Sequence, residues 1–77
     1  MENIVIDKYA ITGKDKNGNE VRIGDTLYSE QSPVAKIKII DIVDRGCGNC
    51  FVFWLRSNAP TYYLIDEFHE SLWIKSQ

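Results

Sequence analysis

Glycine and proline punctuate short apolar runs along this chain, and that alternation dictates strands joined by turns rather than long helices. Val21-Arg22-Ile23, Thr26-Leu27-Tyr28, Val34 to Val43, Cys50 to Leu55, Thr61 to Ile65 and Trp73-Ile74-Lys75 are the extended candidates. Ile4-Val5-Ile6 with Tyr9 to Thr12 reads as a first extended segment. Ser29 to Pro33 is a polar loop, and Arg56 to Pro60 a turn. Ile37 and Ile39 share one face of their strand and Ile40 and Ile42 the other, so a β-bulge or a change of sheet is expected at Ile39-Ile40. The unbroken run Phe51-Val52-Phe53-Trp54-Leu55 fits a central strand buried on both faces.

The turn Lys14-Asp15-Lys16-Asn17-Gly18-Asn19 offers two registers. A three-residue loop with Gly18 in the left-handed bulge position pairs Asp15 with Asn19, Gly13 with Val21 and Ile11 with Ile23. It places apolar against apolar and is preferred over a two-residue Asn17-Gly18 loop. Near the end, Asp66 to Ser71 changes character. Asp66 is read as an N-cap, and Phe68 and Leu72 lie four apart, which predicts one turn of α- or 3₁₀-helix. The expected fold is mainly β: an antiparallel SH3-like barrel or rolled sheet of five to six strands with one short helical turn, a single domain over residues 1–77.

The segment Asp15-Lys16-Asn17-Gly18-Asn19-Glu20-Val21-Arg22-Ile23-Gly24-Asp25-Thr26-Leu27 resembles the Asp-x-Asn-Gly…Gly-Asp signature of small phage and prophage proteins of the YopX type and related SH3-like barrels. It covers about residues 12–28. The resemblance implies a bacterial or bacteriophage origin and a non-enzymatic role, and carries over no binding residue.

Charge narrows the partners. Nine basic against eleven acidic residues (net −2) provide no general attraction for phosphate backbones. The basic side chains Lys8, Lys14, Lys16, Arg22, Lys36 and Lys38 gather in the first half, whereas Asp66, Glu67 and Glu70 crowd one segment. No stretch is long and apolar enough for a membrane helix, the first residues lack a secretory pattern, and a cytoplasmic setting is expected.

Cys47-Gly48-Asn49-Cys50 has the spacing for a tetrahedral zinc ion or a small redox disulfide. Zinc would need His69 and one of Asp66, Glu67 or Glu70 to complete it. A second cysteine pair is missing and the motif runs into a strand, so the pair is read as a turn with Cys50 entering the core. His69 with its acidic neighbours defines no substrate pocket or nucleophile. No cofactor and no catalytic residue is expected. Nine aromatic side chains exceed what a small core encloses; Tyr62 and Tyr63 alternate across a sheet, leaving at least one exposed.

The expected function is protein binding through Tyr62, Tyr63, Asp66, Glu67 and Glu70, with blocking of a host nucleic-acid-processing or defence protein as one form. The alternative is a nucleic-acid-binding barrel that uses the basic first half and exposed rings. A homodimer also fits the surplus of aromatic surface.

Overall fold

The computed structural model describes residues 7–32, 34–56 and 59–76. Its strands are β1 (Gly13–Lys14), β2 (Glu20–Val21), β3 (Thr26–Ser29), β4 (Lys36–Asp44), β5 (Asn49–Arg56), β6 (Ala59–Leu64) and β7 (Trp73–Lys75). Two 3₁₀ turns, Lys8–Ala10 and Ile65–Glu70, complete the elements. β1 and β2 form a small hairpin, and the other strands form one antiparallel sheet in the order β6-β5-β4-β3-β7.

The preferred hairpin register is the one observed: Gly13 faces Val21, Lys14 faces Glu20, and the Asp15 N–H donates to the Asn19 carbonyl at 2.9 Å. Gly18 holds φ +82°, a left-handed backbone that few side chains tolerate. The ladder stops short of Ile11 and Ile23, which instead pack as half-buried side chains against the core.

β4 joins the two halves of the sheet. Its first residues, Lys36 to Lys38, pair with β3, while Ile39 to Asp44 pair with β5. The register shifts between Ile39 and Asp41, where the bulge was expected. Its effect differs from the expected division of faces. The extra residue leaves Ile40 exposed and returns Ile42 to the side of Ile37 and Ile39, so three isoleucines enter one core. The strand begins at Lys36; Val34 lies in the preceding turn, 90% exposed.

β5 is interior and is buried on both faces from Cys50 to Val52 and Phe53, but Trp54 and Leu55 emerge beyond them. Phe51 and Phe53 face inward opposite Ile42 and Ile39. Phe68 drops from the second 3₁₀ turn between them, meeting Phe51 edge-on at 4.9 Å and Phe53 at 6.4 Å. These rings, with Leu27, Val21 and Trp73, make the core.

Four further expectations change. Lys8–Ala10 is a 3₁₀ turn rather than a strand, because the Asp7 carboxylate accepts the Tyr9 N–H at 3.0 Å and caps it; Ile4 to Ile6 lie outside the described residues. Asp66 lies in the first turn of its 3₁₀ segment, and the cap position belongs to Leu64, which makes no side-chain cap bond. Leu72 is 37% exposed and does not follow Phe68 into the core. Pro60 belongs to β6, an edge strand, where the missing N–H is tolerated; residues 57 and 58 of the expected turn, and Pro33 of the earlier loop, lie outside the described residues.

The architecture is a rolled sheet, with no pairing of β6 to β7 among the described residues. The hairpin covers the β7 side of that gap. The Lys16 N–H donates to the Trp73 carbonyl at 3.2 Å, and the Lys75 N–H donates to Asp15 at 2.7 Å. Gly13 lets β1 descend onto the second 3₁₀ turn: a Cβ there would lie 2.8 Å from Ile65 Cγ2 and equally near a Phe51 ring carbon. Gly13→Ala is therefore expected to cost about 1–3 kcal/mol through overpacking, read as a lower denaturation midpoint in urea. No helix of the described residues is long and apolar enough to cross a membrane.

Candidate functional site

The second 3₁₀ turn sorts its side chains by threes, since i and i+3 eclipse in this geometry. Ile65 and Phe68 point into the core. Asp66 shares a side with His69, and Glu67 with Glu70. Asp66, Glu67, His69 and Glu70 are all exposed. His69 Nε2 lies 3.8 Å from Glu70 Oε1.

Glu70 also lines an open groove of about 410 Å³, together with Tyr63, Ser71, Leu72 and Trp73 from the later part of the chain and Lys16, Glu30 and Gln31 from the earlier part. The loop that carries Glu30 and Gln31 is built locally. The Ser29 hydroxyl, buried at the end of β3, accepts the N–H groups of Gln31 and Ser32, both at 3.2 Å, and winds the loop around itself. The Glu30 N–H then donates to the Leu72 carbonyl at 3.0 Å, which ties the two segments together. Lys16 pairs with Glu30 across the rim. The groove is thus a polar-rimmed slot with an aromatic floor of Tyr63 and Trp73.

Of the five residues expected to bind a protein, the structure brings Tyr63 and Glu70 into this groove. Asp66 and Glu67 stand on the adjoining turn. Tyr62 does not join them. It lies opposite Val52 on the outer face of the sheet, 40% exposed, with the Arg45 guanidinium 4.1 Å above its ring. Alternation along β6 separates the two tyrosines as expected, and Tyr63 packs edge-on to Phe68 at 5.7 Å. No spacing signal could have found Lys16, Glu30, Gln31 and Trp73, which arrive from separate segments.

No family model, no curated protein and no solved structure matches this chain.

Cys47 lies in the β4–β5 turn and Cys50 near the start of β5. Cys47 is exposed and Cys50 is buried, both as free thiols. Cys50 Sγ approaches the Gly48 carbonyl at 3.7 Å, and burial is the main influence pushing its pKa up. A raised pKa opposes the thiolate that metal binding and thiol exchange both require. Residues 49–56 continue as strand, so no helix N-terminus counters it. His69 lies on the second 3₁₀ turn, and among the described residues no three His, Cys, Asp or Glu side chains gather as a metal site.

A buried carboxylate escaped the reading of the residues. Asp15 is fully buried and accepts four hydrogen bonds, from the N–H groups of Asn17, Asn19 and Lys75 and from the Asn19 side-chain amide. Burial alone would raise its pKa; the four donors together outweigh burial and hold the carboxyl below its ordinary value. Its partners are all internal, which assigns it to architecture.

Proposed function

We propose that this chain is a non-enzymatic interaction module of the SH3-like type, phage- or prophage-derived, that binds another protein in the cytoplasm through the groove and its acidic rim. The observation that carries this reading is the placement of Tyr63 and Glu70 in one groove, with Glu67 on the same side of the turn. An aromatic floor beside carboxylates suits a partner segment that presents a basic side chain on an apolar stem. A host nucleic-acid-processing or defence protein with a basic groove is one such partner, since carboxylates at the rim can take the place of phosphates. The order of the five sheet strands and the 3₁₀ turn before β7 support the SH3-like reading.

A nucleic-acid reading is favoured by one separate observation. Lys36 lies directly opposite Tyr28, and Lys38, two residues along, shares that face; among the described residues neither lysine has an ion-pair partner. Lysine beside an aromatic ring suits a stacked base on a phosphate backbone.

One experiment separates the two. Capture from the source cell's lysate is compared between the native chain and the variant with Asp66→Lys, Glu67→Lys and Glu70→Lys. The groove reading expects the specific partner to be lost in the variant. Retention of that partner, together with single-stranded oligonucleotide binding that weakens steeply with salt, would transfer the function to the lysine face.

A further inference from the structure

The two edges of the main sheet are unequal. β7 is shielded by the hairpin, through the Lys16 N–H on the Trp73 carbonyl and the Asp15 carboxylate on the Lys75 N–H. β6 hydrogen-bonds only to β5 among the described residues. Its sequence, Ala59-Pro60-Thr61-Tyr62-Tyr63-Leu64, carries no charge. Exposed edges of natural sheets are usually blunted by lysine, by a bulge or by a covering element. Here Pro60 and the register irregularity between Trp54 and Arg56 serve that purpose at the strand's start, and among the described residues nothing blunts Thr61 to Leu64.

We propose that β6 pairs with β6 of a second copy, making a two-fold dimer with one continuous sheet. The occupant follows from the inequality of the edges. A single open edge paired with itself closes after two copies, whereas two open edges would propagate a fibre. An uncharged strand sets no like charges of its own opposite one another; the nearest charge, Arg45, lies over the Tyr62 ring rather than in the ladder.

Geometry restricts the register. Residues opposite each other in an antiparallel pair point to the same face, so the two-fold must pass through a residue and cannot fall between two. Centred on Tyr62, the pairing runs from Pro60 to Leu64 and keeps the proline at its margin. The outer face then gains Tyr62 against its own copy. Trp54, 45% exposed and opposite Pro60 on that same face, flanks the junction. The groove is unaffected, because Tyr63 points to the other face. The dimer and the partner-binding groove therefore stand or fall separately.

The test is mass against concentration, by light scattering and sedimentation, from low micromolar upward. The native chain should approach twice the monomer mass. Tyr62→Lys sets two ammonium groups at the axis and removes the ring contact, and should weaken the dimer by roughly tenfold or more. Since that variant can also disturb the fold, Tyr62→Cys in a Cys47→Ser background provides a second measurement: mild oxidation should link two chains covalently at the new position. A monomer at every concentration overturns the proposal. So does a dimer that survives Tyr62→Lys unchanged and fails to cross-link, since it must then use another surface, and so does a mass that rises without limit.

Discussion

Phe68→Ala is expected to remove a large share of the stability of this protein. The ring is fully buried and touches Phe51, Phe53 and Tyr63 edge-on, so its loss leaves a cavity among rigid aromatic neighbours that cannot collapse inward. Truncations of this kind cost about 3–5 kcal/mol. A chain of 77 residues has roughly 4–12 kcal/mol in total, so the loss is at least a quarter of the whole margin. Urea denaturation followed by tryptophan fluorescence should show the midpoint collapse. A loss under about 1 kcal/mol would mean that the second 3₁₀ turn does not anchor the core as described. Phe68→Leu, which keeps much of the volume, should recover more than half of the loss.

Asp15→Ala has the next largest expected effect. It strands three backbone N–H groups and one side-chain amide that now share a single carboxylate. Buried donors left unpaired make this costly, about 2–4 kcal/mol. Asp15→Asn keeps the shape but turns an amide NH₂ toward one of those donors, and should fall between the two. The pH dependence follows in sign. Because the folded carboxyl titrates below its unfolded value, its contribution is complete above the unfolded pKa and fades as pH falls through the folded one. The native chain should therefore lose stability on acidification more steeply than Asp15→Ala. Parallel acid limbs for the two proteins would show that the Asp15 carboxyl titrates alike in the folded and unfolded chain, so that its four hydrogen bonds do not hold its pKa down.

These two residues also show what the amino-acid order discloses and what it hides. Phe68 announces itself, as a large ring in a polar stretch. The hairpin register was legible because Gly18 demands a left-handed turn and apolar Val21 must face inward. The bulge in β4 was legible because Ile39 and Ile40 break a period of two. Asp15 gave no sign of burial: a carboxylate in an Asp-Lys-Asn-Gly turn looks solvated, and its decisive partner lies sixty residues away at Lys75. The Lys8–Ala10 turn was misread because Tyr9, Ala10 and Ile11 suit a strand, while the deciding group is the Asp7 side chain. The groove was illegible for a third reason. Its walls come from segments that meet only once the sheet has rolled, so no local pattern encodes it.

The hydrogen bond from Lys75 to Asp15 has a consequence for synthesis. The early hairpin leaves the ribosome with its carboxylate lacking that donor and the Gly13 approach to Ile65 and Phe51 still impossible. Native structure thus waits on translation nearly to residue 75, and chains stalled earlier should be prey for proteases rather than half-built folds.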